Sequence, residues 1–184
     1  MNKYKLTDET KEWNGRTLHR IEALIDFGDV HTGDKGGWIE EEKNLSVSGN
    51  AWVSGNARVY GDAQVYGDAR VDGDAQVYGD AWVDGKARVY GDAQVDGDAR
   101  VYGKARVDGD DDYSTIYGFG TVHRTTTFFR CKDGIVRANC GCFYGTIPEF
   151  RDRVKKTRTG KIAEEYLMIA DLMEKHFSKE GEHE

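Results

Sequence analysis

The stretch Gly55–Gly103, GNARVYGDAQVYGDARVDGDAQVYGDAWVDGKARVYGDAQVDGDARVYG, repeats one six-residue phrase. The frame Gly-[Asn/Asp/Lys]-Ala-x-Val-x runs without a slip from Gly49 to Asp108, ten times. Ala and Val stand two apart, so on a strand they share a face. The x positions hold Arg, Gln, Trp, Tyr, Asp and Ser, which suit the opposite face. Gly followed by Asn or Asp is turn chemistry, because these residues tolerate the left-handed backbone region. A short strand and a turn every six residues describe a solenoid, and hexapeptide repeats are a signature of parallel β-helices. A strand this short buries nothing alone; stacking coil on coil buries the Ala and Val columns and pairs the backbone. A helix is excluded, since ten glycines at period six would each cost about 1 kcal/mol.

The frame extends backwards less perfectly through Lys43–Ser48 and Gly37–Ile39, which places Ile39 and Leu45 at Ala positions of a first, wider coil. The chain resembles left-handed parallel β-helix proteins, and that resemblance implies three hexads per coil and about four coils. Every eighteenth residue then lines one ladder. The first side stacks Trp52, Arg70, Arg88 and Arg106, flanked by Lys86 and Lys104. The second carries Arg58, Gln76 and Gln94 with Tyr60 and Tyr78. The third carries Gln64, Trp82 and Arg100, with Asp62, Asp80 and Asp98 at its corner. Solvated ladders are one reading of these sides. The other is an interface, for which Arg, Tyr and Trp are the characteristic side chains. The partner-binding candidates are therefore Trp52, Arg70, Lys86, Arg88, Lys104, Arg106, Tyr60, Tyr78 and Trp82.

The flanks read as separate pieces: residues 1–36 as a capping hairpin, 37–112 as the β-helix, and 113–184 as a β-hairpin with two helices. The fold class is thus mainly β, with a C-terminal α+β module. Asn14-Gly15 between Trp13 and Arg16 is a hairpin turn. Gly28 to Gly37 is the loop entering the coil; it lacks the spacing of a phosphate loop. Asp110-Asp111-Asp112 is a solvated turn without a Ca²⁺ ligand pattern. A second hairpin turns at Asp133-Gly134, with Cys131 opposite Val136 and Thr127 opposite Cys140. Thr146 and Glu149 form a capping box that starts a helix burying Ile147, Phe150 and Val154. Ile162, Tyr166, Ile169 and Met173 recur at helical spacing from about Lys161 to His176, and these four are the oligomerisation candidates. Ser178 to Glu184 reads as a frayed end.

Composition narrows the function. The 184 residues carry a formal charge of −7, which disfavours nonspecific contact with nucleic-acid phosphates. No apolar run approaches the roughly 20 residues of a membrane span, and the first residues lack a signal-peptide core, so a cytosolic protein is expected. Three cysteines argue against a secreted disulfide scaffold. His123, Cys131, Cys140 and Cys142 are zinc-ligand types, but the hairpin reading separates Cys131 from Cys140 by roughly 13 Å, so no metal and no cofactor is expected. The ten regular hexads contain no His, no Cys and no insertion. Acyltransferases of hexapeptide-repeat type are expected to have a catalytic His and an interrupting loop, so a non-enzymatic protein is the first expectation.

Several motifs together resemble a family of phage and prophage proteins: Asn14-Gly15-Arg16-Thr17-Leu18, Gly33-Asp34-Lys35-Gly36-Gly37-Trp38-Ile39, the hexads, Lys132-Asp133-Gly134-Ile135 and Cys140-Gly141-Cys142-Phe143. The resemblance implies a small protein made in the bacterial host cytosol. On this reading the chain is a binding protein that inhibits a host defence or nuclease system, forms a homo-oligomer (trimer or dimer), and takes a host protein as partner. Two alternatives stand beside it: a sponge for a cyclic or other small nucleotide, and an acyltransferase.

Overall fold

The computed structural model describes residues 2–120 and 124–178. It divides into two compact units, Met1–Asp110 and Asp111–Glu184.

The first unit opens with β1 (Tyr4–Trp13) and β2 (Arg16–Ala23), an antiparallel hairpin with one register irregularity between Leu6 and Thr10. Its turn has positive φ at both Asn14 (49°) and Gly15 (74°), the geometry that matches strand twist. β3 (Lys35–Ile39) pairs antiparallel with β2 and then parallel with the coil. Two-residue strands follow, one per hexad, and they fall on three sides. The first side is β4 (Trp52–Val53), β7 (Arg70–Val71), β10 (Arg88–Val89) and β13 (Arg106–Val107). The second is β5 (Arg58–Val59), β8 (Gln76–Val77) and β11 (Gln94–Val95). The third is β6 (Gln64–Val65), β9 (Trp82–Val83) and β12 (Arg100–Val101). All stack parallel with partners eighteen residues apart, as in Arg70↔Arg88 and Val71↔Val89. The result is a parallel β-solenoid of about four coils, with every Ala and Val of the regular hexads buried.

The corner glycines explain the strict period. Gly49 through Gly103 in the repeat all have φ between 56° and 74°, where a side chain is strained.

The first coil departs from the expected frame by two residues. Ile39 pairs with Val59 and Leu45 with Val65, so both occupy the Val column rather than the Ala column. Gly37 stands in the Ala column, where a Cβ would lie 2.7 Å from Ala57 O and from Val53 Cγ1. A shift of two keeps each side chain on its face, which is why the wrong frame still placed Ile39 and Leu45 inside. Val47 is exposed instead.

The upper end of the solenoid is closed by groups that imitate a missing coil. In the regular coils, carbonyls accept from amides of the preceding coil, as in Trp52 N to Ala69 O at 3.0 Å. The first full coil has no such predecessor. Trp38 N donates to Ala57 O, Glu40 N to Val59 O and Ser46 N to Val65 O. Side chains do the rest. Asn44 Nδ2 donates to Gly61 O (3.0 Å) and Ala63 O (2.9 Å). Lys3 Nζ donates to Gly49 O (3.2 Å) and Ala51 O (2.8 Å). Arg20 Nη1 donates to Gly55 O (3.1 Å). Lys3 and Asn44 are both buried, which polar groups tolerate only when bonded.

The second unit is a four-stranded antiparallel sheet in chain order: β14 (Tyr113–Phe119), β15 (Arg124–Arg130), β16 (Val136–Cys140) and β17 (Phe143–Thr146). The outer strands β14 and β17 were not foreseen. Helices α1 (Ile147–Thr157) and α2 (Gly160–His176) pack on one face of it. The Thr146–Glu149 capping box is present, and Ile147, Phe150 and Val154 are buried. Arg151 ties the helices together through Asp171 (2.6 Å) and Glu174 (2.7 Å).

The hairpin register differs from the expected one by a single residue. Arg130, not Cys131, faces Val136, and Thr126, not Thr127, faces Cys140. Cys131 instead closes the turn, donating its amide to Ile135 O and accepting from Gly134 N. The consequence is large, because a one-residue slip exchanges faces. Phe128, opposite Ala138, lines the helix-covered core. Phe129 lies on the other face near Tyr144, with centroids 6.2 Å apart. Of the three cysteines only Cys131 is buried; Cys140 is half-buried and Cys142 exposed.

Candidate functional site

The partner-binding candidates do not converge; they lie on all three sides of the solenoid, and the chain itself covers several. On the second side, Tyr60 is buried and stacks on Tyr78, rings 5.1 Å apart and 2° from parallel. Above them Trp13 lies over the Arg58 guanidinium at 3.9 Å and donates its indole N–H to Gln76 Oε1. On the third side, Trp82 is 41% exposed, between Tyr66 (5.5 Å) and the Arg100 guanidinium (5.2 Å).

The first side is divided. Its upper rungs are covered by the loop between β2 and β3. Phe27 packs edge-on against Trp52 at 5.4 Å, leaving Trp52 3% exposed. Asp29 pairs with Arg70. Burial, and then the charge of Arg88, pull Arg70 below the usual guanidinium range. The loop is folded by its own carboxylates. Asp26 Oδ1 accepts from Thr32 N and Thr32 Oγ1, both at 2.8 Å, and Asp34 Oδ2 accepts from His31 N at 2.7 Å. Gly28 has φ +59°, and a Cβ there would lie 3.1 Å from Arg70 Nη2. The loop is therefore built to sit on this side, with Gly28 leaving room for Arg70 and Gly36 for Ile21 and Trp52.

The lower rungs of the first side are open. Arg88, Arg106, Lys86 and Lys104 are exposed. Arg88 Nη1 donates to Tyr90 Oη at 2.7 Å, and Arg106 lies 5.8 Å from the Tyr90 ring while pairing with Asp108 at 2.9 Å. This is a cationic ladder with an aromatic plate in it, suited to phosphate and a flat ring.

His31 belongs to the covering loop and is exposed, with Nδ1 3.9 Å from Asp26 Oδ2. The hydrogen bonds from Thr32 hold the Asp26 carboxyl below its ordinary range, so it is charged at neutral pH. The two groups stand at ion-pair distance, beyond hydrogen-bond reach. From the sequence His31 reads as a satisfied surface group, and Asp26 is not singled out beside it. His19, by contrast, is half-buried with Nδ1 3.2 Å from Thr7 O. His123 and His183 lie outside the described residues.

The oligomerisation candidates turn inward. Tyr166, Ile169 and Met173 are buried in the second unit's core, and Ile162 packs against it. The exposed apolar residues of α2 are Met168 and Leu172. No group of three or more potential metal ligands occurs among the described residues, and no described helix is long and apolar enough to cross a membrane.

A family model described as the YdcK beta solenoid repeat matches residues 51–65 and 63–79. The hexads form a β-solenoid, and it is this repeat that the family model matches. The chain is also 36% identical over 61 residues to a protein of Escherichia coli (strain K12) named uncharacterized acetyltransferase YdcK. The match covers 29% of this chain and 19% of that protein, so the chain spans about a fifth of its relative's length. These findings overturn the expectation of a non-enzymatic inhibitor. The residues that the YdcK repeat model matches lie in the coil from which enzyme chemistry was excluded for want of His, Cys and an insertion.

Proposed function

We propose that the Met1–Asp110 unit is an acyltransferase that takes an acyl-coenzyme A donor along its cationic side. The likeness to the acetyltransferase-named relative, with the repeat model that matches the coil, carries this reading. The local chemistry supports it. Arg88, Arg106, Lys86 and Lys104 offer charges for the donor's phosphates, and the Tyr90 ring offers a stacking surface. His31 acts as general base: it removes the proton from an acceptor amine or hydroxyl as that atom attacks the thioester carbonyl. The thioester C–S bond then breaks, and coenzyme A leaves as the thiolate, which takes up a proton. Asp26 stabilises the imidazolium formed on the way. The resemblance of the flanking motifs to phage and prophage proteins supports the bacterial cytosol as the setting.

The test is a transfer assay with acetyl-coenzyme A and a panel of amine and hydroxyl acceptors, read by thiol release. His31→Ala is expected to lower kcat about 10²-fold or more, the usual contribution of a general base, with the donor's KM within twofold. Asp26→Asn is expected to fall between the two. No acceptor-dependent thiol release from the wild type would end this reading; an unchanged kcat in His31→Ala would remove His31 from it.

A further inference from the structure

The Cys140-Gly141-Cys142 segment is not used by the proposed acyl transfer and lies in the other unit. Cys140 faces Phe143 across β16 and β17, so Gly141 and Cys142 form a two-residue turn, with Gly141 at φ +62°. Two peptide steps of about 3.8 Å folded at such a turn bring the flanking Cα atoms within the roughly 4.4–6.8 Å that a disulfide needs. Both cysteines line one cavity of about 120 Å³. Phe150 and Tyr166 form its apolar wall, and Arg153 and Arg158, from the end of α1 and just beyond, stand on the same cavity. Arg153 makes no ion pair within the described residues. Cys131 is buried at the opposite hairpin turn and does not line the cavity.

Thiolates are the reactive form of cysteine. The two arginines would attract an anionic reagent. A small apolar slot holding two thiols and two arginines therefore suits a low-molecular-weight disulfide that carries carboxylates.

We propose that Cys140 and Cys142 are a reversible dithiol/disulfide couple that exchanges with such a disulfide. The Cys142 thiolate attacks one sulfur of the reagent RSSR; a Cys142–S–S–R bond forms and the first RS⁻ leaves. Cys140, having lost its proton to solvent, attacks the Cys142 sulfur; the Cys140–Cys142 bond forms and the second RS⁻ leaves. Two protein thiols are oxidised and RSSR is reduced to two RSH. An excess of RSH runs the steps backwards.

The experiment incubates the full chain with oxidised glutathione, or with the cationic disulfide cystamine, and follows alkylatable thiols and mass. With oxidised glutathione, one alkylatable cysteine is expected to remain, Cys131, and the mass to fall by two hydrogens. The rate at low salt is expected to exceed that with cystamine about tenfold, and Arg153→Gln with Arg158→Gln to abolish the difference. Cys140→Ser is expected to stop at the mixed disulfide on Cys142. Retention of all three thiols, a wild type that halts at the mixed disulfide, or a bridge to Cys131 would overturn the couple. Equal rates with the two reagents would overturn the anionic ligand class.

Discussion

Gly67→Val is expected to lower the stability of the Met1–Asp110 unit by about 4 kcal/mol or more, a large share of what a domain of this size has. Two effects add. Gly67 has φ +62°, a region in which a β-branched residue is an outlier. Its new Cβ would also lie 2.8 Å from Asp84 Oδ1 and 3.0 and 3.1 Å from Gly85 N and O. The Gly85 backbone cannot yield, because its carbonyl holds Asp68 N at 2.7 Å in the coil-to-coil ladder. Gly97→Ala is the control. Gly97 has φ +56° but nothing within 4 Å of a Cβ, so only the conformational cost of about 1–2 kcal/mol applies. Urea unfolding followed by circular dichroism measures both. Equal losses at the two sites would show that corner stacking does not set the glycine period.

Lys3→Met is expected to cost about 2–4 kcal/mol, since it leaves the buried carbonyl of Ala51 and the part-buried carbonyl of Gly49 without their donor. The variant also carries a pH signature. Burial, and then the charge of Arg70, pull the Lys3 ammonium down from 10.5 to about 8. Between those values the unfolded chain binds the proton and the folded one does not. Stability from this group therefore rises with pH across that window, by at most about 1.4 kcal/mol per unit. Tyr4 works the other way: burial raises its phenol, so its contribution falls as pH climbs past its ordinary value of 10. Unfolding at pH 7.5 and pH 9.5 isolates the lysine. The wild type is expected to gain stability relative to Lys3→Met over that interval; a constant difference between the two would contradict the account of Lys3 as a buried ammonium.

The repeat was legible because each of its residues has a single environment. Ala and Val meet Ala and Val eighteen residues on, so the three sides and their ladders follow from the period, as Arg70↔Arg88↔Arg106 shows. What closes the repeat was not legible. Lys3 and Asn44 read as ordinary polar residues, and their burial depends on carbonyls 46 and 17 residues away that only the finished coil leaves open. The frame at Ile39 and Leu45 and the register at Cys131 failed for a common reason. Alternation specifies the face of a strand, but the turn specifies its register, and neither turn follows a two-residue rule. The coverage of Trp52 and Arg70 by Phe27 and Asp29 was hidden in a loop without periodicity, and with it the place of His31.

The central functional claim is that the open, cationic half of the first side holds an acyl-coenzyme A donor. Titration calorimetry of the full chain with acetyl-coenzyme A tests it most directly. The account predicts saturable binding that weakens as salt rises, and a loss of affinity of at least tenfold in Arg88→Glu with Arg106→Glu, while Trp82→Ala on the third side binds as the wild type does. No heat at millimolar donor, or binding untouched by the two arginine changes, would contradict it.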